Sequence, residues 1–526
     1  MRRALIAIVE IVLFSSLILA TRCANYRDVL VGGEIYFTDA DCYACMTRVR
    51  ICLERPGTIL RHHSFENFPA GTTPHTTAPF DYLIAVLSVV LKPISARSLD
   101  LAGALVSPLL ALGTGWFLWW WSRRMRFRFR RASLLLFAIS PILVHGTEFG
   151  RPDHQSLLMA LLAVALCAEW SLTLGNSEEV VSQKSLRHWS CLSGGAWGLA
   201  LWVSFYEPLI LLTMLLVVQL IVARKSFVAR NRVLGLGVCA GIVLLGLAIE
   251  QRLPVWPGTT QTFSNWASTI GELRHLALND PVWLRWTGLL LIPLPALLWV
   301  AVRRTRTLPG FAAVLVVSSF LLTLWQARWA YFFVTLFVLA LPACLAVMGN
   351  RVAVWLVVVI SLLPVVKDWD EKLWPNEFQA ALSAERRLDA MGLRQIARGI
   401  NGPFLAPWWW SPALAYWSGQ PGVAGSSHEA LNGIEQSVQF FTAPDPETGR
   451  AILLKNKVAW VVAYDAERTV ANSALILGIP APENSIGRVL DRTPSRAPPF
   501  LQLVAQNAVC KLFHVHFFQE KENFPR

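Results

Sequence analysis

The stretch LAGALVSPLLALGTGWFLWWWSRRMRFRFRR, from Leu101 to Arg131, joins a long apolar run to a dense arginine cluster. The run from Leu101 to Trp121 carries no charge and is long enough to cross a bilayer as a helix. Tryptophans collect at its end, where indole rings favour the membrane interface, and arginines follow at once. Because basic residues mark the cytoplasmic ends of membrane helices, the stretch predicts a transmembrane helix that ends on the cytoplasmic side.

The same pattern recurs through most of the 526 residues. Hydrophobic residues make up 54% of the chain and charged residues only 15%, and long apolar runs continue to about Val366. Residues 367–526 have an ordinary composition. We therefore expect a polytopic membrane domain at 1–366 and a small soluble α/β domain at 367–526. The net charge of +13 does not indicate nucleic-acid binding, because the arginines gather in short clusters between apolar runs.

The basic clusters set the predicted topology. The first apolar run could be a cleaved signal peptide, but cleavage after Ala20 would put Ile18 where a small residue is wanted, so we favour an uncleaved helix. Residues 80–91 are short for a span and predict an interfacial or re-entrant helix. We expect about 11–13 transmembrane helices, with eleven spans near 5–20, 101–121, 132–146, 155–172, 189–205, 208–223, 233–250, 284–301, 310–325, 329–347 and 352–366. This alternation puts on the cytoplasmic side the basic residues at 2–3, 122–131, 223–232, 303–306 and 351.

Three polar segments then share the outer side with the tail: residues 21–79, 146–155 and 251–283. In the tail, ALSAERRLDAMGLRQIARGI (Ala381–Ile400) has apolar residues at helical spacing, and KVAWVVAYD (Lys457–Asp465) predicts a strand that ends in an acid. Loops from several parts of the chain can therefore build one catalytic face on the exterior side of the membrane, which we take to be the periplasmic side of a cell inner membrane.

The first candidate site is TDADCYACM, which contains Asp39 and Asp41. Carboxylates at the outer end of a membrane helix need water, a partner or a metal, so a solvated turn and a metal site both remain open. The neighbouring cysteines lack a second pair at zinc spacing. In an oxidising compartment a disulfide between two of Cys42, Cys45 and Cys52 is the expected outcome.

Two further acids lie in the other outer segments. Asp153 is followed by His154 and Gln155 at the start of a span, where it could cap a helix or bind a ligand. Glu272 lies in Ser268–Leu273, in the outer loop, where a solvated glutamate is the simpler interpretation.

Together, these motifs resemble the catalytic subunit of oligosaccharyltransferase, in the C-type superfamily of membrane glycosyltransferases. The matches, in order, are Asp41-Cys42-Tyr43 to D-x-Y, Asn67–Ile84 to N-Y-P-x-G…P-P-L-F-D, Asp153-His154-Gln155 to D-H-H, Thr269-Ile270-Gly271-Glu272 to T-I-x-E, and Ala327-Arg328-Trp329 to A-R-F. They run over most of residues 1–370.

This resemblance implies an enzyme that transfers a sugar or oligosaccharide from a polyprenyl-(pyro)phosphate donor to asparagine of a protein, next to membrane lipid. It implies that Asp41, Asp153 and Glu272 are catalytic and bind Mg²⁺ or Mn²⁺, with His154 or Gln155 as further ligands. It also implies that Arg328 contacts the donor phosphate.

The chain departs from the family at two places. Gln155 stands where an Asp, Glu or His ligand is expected, and an amide is a poorer ligand for a hard cation. Ser411 follows Trp408, Trp409 and Trp410, where the W-W-D acceptor signature has an aspartate. The tryptophans are candidate acceptor-binding residues, but a lipid or glycan acceptor is an open alternative. A non-enzymatic transporter of a glycan is a second alternative.

Overall fold

The computed structural model describes residues 2–74, 77–175, 183–222, 230–252, 258, 260–305 and 307–516. Of the predicted basic clusters, residues 223–229 and 306 lie outside this part of the chain, as do residues 253–257 and 259 of the outer loop.

The helices in chain order are α1 (Arg2–Arg22), α2 (Tyr26–Val29), α3 (Ala40–Glu54), α4 (Ala78–Leu91), α5 (Ser98–Arg124), α6 (Arg130–Ile139), α7 (Pro141–His145), α8 (Gln155–Gly175), α9 (Gln183–Val203), α10 (Tyr206–Val222), α11 (Arg230–Glu250), α12 (Gln261–Ser268), α13 (Val282–Thr287), α14 (Leu294–Arg303), α15 (Gly310–Trp325), α16 (Ala330–Ala346), α17 (Arg351–Ser361), α18 (Leu363–Leu373), α19 (Glu377–Ala397), α20 (Ser411–Ser418), α21 (Leu431–Thr442), α22 (Pro446–Lys455), α23 (Ala466–Leu477) and α24 (Ile486–Arg492). The strands are β1 (Leu30–Val31), β2 (Glu34–Ile35), β3 (Phe404–Leu405), β4 (Trp460–Tyr464), β5 (Leu501–Gln506) and β6 (Cys510–Val515).

The chain divides into two compact units. The first contains Met1–Ile35, Thr76–Pro254 and Glu272–Gln379, and the second contains Tyr36–His75, Val255–Gly271 and Ala380–Arg526. Parts of the two outer segments at 21–79 and 251–283 therefore belong to the same unit as the tail.

Among the described residues of the first unit, six helices are long and apolar enough to cross a membrane, which makes the chain a multi-pass membrane protein. They are Ala4–Arg22, Ser98–Arg124, Gln155–Thr173, Asn231–Glu250, Ala327–Ala346 and Arg351–Leu373. Four shorter apolar helices lie at Ala78–Leu91, Tyr206–Ile221, Leu294–Arg303 and Gly310–Trp325. The predicted count of 11–13 spans stays a prediction.

Burial differs sharply among the six long helices. The segment Ala327–Ala346 is 94% buried within the protein, whereas Ala4–Arg22 is only 17% buried and exposes apolar side chains such as Leu5 and Leu13. An apolar face without protein contacts suits lipid, while the central helix is surrounded by other helices. The central helix therefore gives the residues at its N-terminal end, Arg328 and Tyr331, a fixed position.

Two predicted spans are interrupted. Residues 132–146 form α6 and α7, with a break at Ser140, because Pro141 disfavours helical backbone at the residue before it. The stretch 284–301 is also broken, since Gly288 has a φ of 76° and prolines follow at 293 and 295. Each of these two stretches therefore consists of more than one helical segment, and whether it crosses the membrane stays a prediction.

The arginine cluster after α5 contacts the first helix. Arg130 and Arg131 lie 2.9 and 3.2 Å from the carboxylate of Glu10, an acid in the middle of an otherwise apolar helix. An acid in a membrane helix needs a partner, and the arginines supply it. The contact puts the N-terminal half of α1 beside the cluster, as the alternating topology requires.

In the second unit a four-stranded sheet has the order β3-β4-β6-β5, with only the β3–β4 pair parallel. All five residues of β4 are buried. Val461 and Ala463 contact one apolar cluster while Trp460, Val462 and Tyr464 contact another, because successive strand residues face opposite sides. The predicted strand and the predicted helix at 381–400 are both present.

The acid pair of the TDADCYACM segment begins α3. Asp39 is the N-cap, and its Oδ1 accepts a hydrogen bond from the Cys42 amide at 3.0 Å. Cys42, Cys45 and Cys52 are buried thiols, so the disulfide prediction is wrong for this structure. Cys52 lies seven positions after Cys45 on the helix, a rise of about 10 Å, which exceeds the span of a disulfide. Cys42 and Cys45 are three positions apart, within that span, and are nevertheless unbridged.

Candidate active site

Asp153 lies in the link between α7 and α8 and is buried. Its Oδ1 accepts a hydrogen bond from the Gln155 amide at 3.1 Å and lies 2.9 Å from Nδ1 of His154. Burial raises the pKa of Asp153, but His154 and Arg151 outweigh it and hold that pKa well below its usual range. The carboxylate therefore stays charged while it caps the first turn of a membrane helix.

Arg151 connects two carboxylates of the first unit. Its Nη2 donates to Oε1 of Glu272 at 2.9 Å and lies 3.7 Å from Oδ2 of Asp153. Only 7% of the arginine side chain is exposed, so solvent screens these pairs weakly. The Nη1 atom lies 3.3 Å from Nε2 of His145. The guanidinium is thus the positive centre of the cluster.

Glu272 begins the first unit's third segment, in a single 3₁₀ turn. The Tyr331 hydroxyl donates to the same Oε1 atom at 2.9 Å, and that hydroxyl lies 2.8 Å from Nδ1 of His145. The rings of His145 and Tyr331 are parallel within 4°, with centroids 6.2 Å apart. One glutamate oxygen is therefore held by a guanidinium and a phenol at once, and a histidine supports both.

A second ion pair lies at the start of the central helix. Arg328 Nη2 contacts Oε1 of Glu207, whose other oxygen accepts from Ser204 Oγ at 2.6 Å. The Glu207 side chain is 3% exposed and that of Arg328 is 29% exposed. Among the described residues, the buried Nε of Arg328 has no hydrogen-bond partner. The arginine therefore keeps donor capacity beyond its contact with Glu207.

The tryptophan cluster, Trp408–Trp410, lies in the second unit, and its side chains contact other residues of the tail. Trp408 Nε1 donates to Asn472 Oδ1 at 2.8 Å, the Arg468 guanidinium lies 5.6 Å from the Trp409 ring centroid, and Trp410 meets Tyr464 edge-on. All three tryptophans are half-buried.

Ser411 is fully buried, and its hydroxyl donates to the Ala424 carbonyl at 2.8 Å. A Cβ on Gly422 would lie 2.4 Å from the same hydroxyl, so the position has little room for a larger polar side chain. Ser411 therefore contributes to the packing of this unit and offers no carboxylate for ligand binding.

Asp41 occupies the first turn of α3 and is exposed. It belongs to the second unit, whereas Asp153 and Glu272 belong to the first. The predicted convergence of the three acids stays a prediction, while the structure does bring Asp153 and Glu272 onto one arginine.

Comparison with protein-family models finds no match, and no curated protein matches the sequence. Solved structures do match. An archaeal oligosaccharyltransferase AglB from Archaeoglobus fulgidus, in complex with an inhibitory peptide and a dolichol-phosphate, superposes with a TM-score of 0.69 at 14% identity, over 89% of this chain and 70% of that one. ArnT from Cupriavidus metallidurans, bound to undecaprenyl phosphate, gives 0.56 at 14% identity over 97% of both chains. Both are C-type glycosyltransferases. The chain has the C-type glycosyltransferase fold.

One structure with the C-type fold, the Archaeoglobus fulgidus oligosaccharyltransferase in complex with zinc and sulfate, raises the question of a metal here (TM-score 0.64, 14% identity, 89% and 70% coverage). Within the described residues no three His, Cys, Asp or Glu side chains are grouped so as to hold a metal ion. Gln155 does offer one buried oxygen, Oε1, without a hydrogen-bond partner among those residues.

The guanidinium of Arg151 competes with a metal for the carboxylates of the cluster. The two carboxylates that would bind it, Asp153 and Glu272, both face the guanidinium of Arg151. A divalent cation about 5 Å from a guanidinium is repelled by roughly 7 kcal/mol at an effective dielectric near 20, which offsets part of its attraction to the two carboxylates. Both carboxylates are engaged by Arg151, and among the described residues no third charged ligand is grouped with them, so the donor set does not fit a divalent cation while Arg151 holds this position.

Four residues of this candidate site do not follow from the sequence motifs: His145, Arg151, Glu207 and Tyr331. Arg151 lies two residues before Asp153 in a segment already of interest, and Glu207 is an acid at the start of an apolar run, which is a functional signal in a membrane helix. Tyr331 lies one helical turn after Arg328. His145 has no comparable signal in the sequence.

Proposed function

We propose that this protein is a membrane glycosyltransferase that takes a sugar or oligosaccharide from a polyprenyl-(pyro)phosphate donor. The observation that carries the proposal is the half-buried Arg328, which retains unused donors at the start of the central helix of a C-type fold. Two neighbours of the same fold hold a dolichol-phosphate and an undecaprenyl phosphate.

Arg328 suits a phosphate for two physical reasons. Its guanidinium is always charged and offers several N–H donors in one plane, which matches phosphate oxygens. Glu207 occupies one of those donors and holds the side chain in place. When the glycosyl bond breaks, negative charge grows on the departing phosphate, and a fixed cation stabilises that charge.

Asp153 and Glu272 are the proposed catalytic carboxylates of the first unit, and Asp41 is proposed as a third from the second unit. The sugar's bond to the phosphate oxygen breaks as its bond to the acceptor forms, and the departing phosphate takes up the proton that the acceptor loses. No covalent intermediate on the enzyme is needed. The proposed location is a cell inner membrane, with these residues on the periplasmic side.

Two acceptor classes are supported by different observations. A protein asparagine is the first, since one Archaeoglobus fulgidus neighbour is tethered to an acceptor peptide with the NVT sequon (TM-score 0.63, 14% identity). A lipid or glycan acceptor is the second, because Ser411 supplies no carboxylate where the acceptor signature expects one. Trp408, Trp409 and Trp410 are the proposed acceptor contacts in either case.

The acceptor class is tested with the purified full-length protein in lipid nanodiscs. The protein is incubated with a labelled polyprenyl-linked glycan and either a sequon peptide, a matched peptide with Gln in place of Asn, or a glycolipid. Label on the sequon peptide alone supports protein glycosylation, and label on the glycolipid supports the second class. Movement of intact donor across vesicles, with no labelled product, would instead support a transporter.

A further inference from the structure

Arg151 is held rigidly from both its backbone and its side chain. The amide of the preceding Gly150, where φ is 78°, donates to the Ala104 carbonyl at 3.0 Å. The Ser107 hydroxyl donates to the Arg151 carbonyl. Two residues of α5 therefore hold the backbone of this segment in place. From that backbone the Arg151 side chain extends to Asp153 and Glu272.

The surroundings of Arg151 also lack the charge that a divalent ion would require. Gln155, at the position where a third charged ligand is expected, is a neutral amide and is buried. A second guanidinium, that of Arg328, interacts electrostatically with both Asp153 and Glu272. Arg328 contacts Glu207 and acts on Asp153 and Glu272 only at longer range, so Arg151 is the direct partner that lowers the attraction of these two carboxylates for a hard dication.

We propose that Arg151 takes the place of the divalent cation in this protein. Its guanidinium pairs with Asp153 and Glu272, offsets half of their combined charge and keeps the two carboxylates together, so that the site is assembled without metal. The inference deepens the proposed function, because it assigns the cation of the same site. The inference predicts that the site binds no divalent ion until Arg151 is removed. This prediction does not depend on which glycan is transferred.

The first test measures Mn²⁺ binding by electron paramagnetic resonance on the full-length protein in nanodiscs. The wild type should bind no Mn²⁺ at 1:1 stoichiometry, at concentrations of about ten times a typical 10⁻⁴ M dissociation constant for a weak oxygen-ligand site. Arg151→Gln removes the charge and exposes both carboxylates, so its Mn²⁺ affinity should rise at least about tenfold. Adding Glu272→Gln should abolish the gain. Arg97→Gln, which removes an exposed arginine 3.0 Å from Glu34, is the matched control and should gain none.

In this test, stoichiometric Mn²⁺ binding by the wild type that Glu272→Gln removes would overturn the proposal. If Arg151→Gln does not fold, Arg151→Lys serves instead. It keeps one charge but loses the fork that reaches two carboxylates, so weak Mn²⁺ binding should appear.

The second test separates this inference from the proposed function. Transfer by the wild type should be unchanged after chelation and after addition of Mg²⁺ or Mn²⁺. Activity that chelation abolishes and metal restores would refute the role of Arg151 while leaving the transferase intact. Absence of transfer with every donor, together with metal binding in Arg151→Gln alone, would refute the proposed function and leave the role of Arg151 standing.

Discussion

Substitutions in the ion pair of Arg328 and Glu207 can measure separately what Arg328 contributes to protein stability and to donor binding. Arg328→Gln leaves the Glu207 carboxylate, whose side chain is 3% exposed, without its cation. Removing one partner of a buried ion pair typically costs about 3–5 kcal/mol, and the remaining Ser204 hydrogen bond favours the lower end of that range. For a chain of 526 residues a loss of about 3 kcal/mol lowers the melting temperature by roughly 3 °C.

The double variant Glu207→Gln/Arg328→Gln removes both charges and should restore most of the lost stability, because no uncompensated charge stays buried. Its binding of polyprenyl phosphate should nevertheless be weak. A hydrogen bond to a charged group contributes about 1.5–3 kcal/mol, so the dissociation constant should rise by about 10- to 150-fold. The control Glu207→Gln keeps the guanidinium and should bind the phosphate at least as tightly as the wild type.

The assay pairs thermal denaturation with a titration of polyprenyl phosphate followed by native mass spectrometry, both on the full-length protein. Wild-type affinity in the double variant would show that Arg328 does not bind the donor phosphate. A melting temperature as low as that of Arg328→Gln in the double variant would show that the ion pair is not what the single substitution breaks.

Three further predictions concern other parts of the chain. Trp409→Ala and Trp410→Ala should raise the KM for the acceptor and leave donor binding intact; an equal loss of donor binding would indicate that these rings only pack the unit. His63 is buried, and burial, together with Arg48 and His62, lowers its pKa to about 3. The folded protein therefore holds this imidazole neutral, and it loses stability as the pH falls below about 6.5, where the unfolded chain takes up the proton. Wild type should therefore lose about 2 kcal/mol more stability than His63→Gln between pH 7.5 and 5, as measured by denaturant unfolding; equal losses would contradict the assignment. Reporter fusions after Arg131 should be cytoplasmic and those after Gly150 exterior, and an exterior signal at Arg131 would refute the topology.

The membrane architecture could be predicted because its physical signals are local. Uncharged runs of helical length and clusters of arginine are visible in the sequence, and the first helix, the helix after Gln155 and the central helix all appear where expected. The broken helices at Ser140 and Gly288 were harder, since a proline or glycine in an apolar run is compatible with either a kink or an end.

The chemistry of the site was only partly predictable. Asp153 was ambiguous between a helix cap and a ligand, and the structure shows that its carboxylate caps the helix and pairs with Arg151. The arginine's role could not follow from its position in the sequence, because it depends on Glu272, 121 residues further on. Long-range pairing of this kind is created by the fold, and a single sequence carries no direct signal for it.

The most direct test of the proposed function is donor cleavage. Purified full-length protein is given a polyprenyl-linked glycan labelled in the lipid, and released polyprenyl phosphate or pyrophosphate is quantified in the presence of acceptor. Asp153→Asn, which preserves the shape of the side chain and removes its charge, is run in parallel at matched folding. We predict release by the wild type that depends on acceptor and falls at least about a hundredfold in the variant, comparable to the loss of a residue that acts on the transition state. No release from any lipid-linked glycan, by a protein that still binds polyprenyl phosphate, would contradict the assignment as a glycosyltransferase.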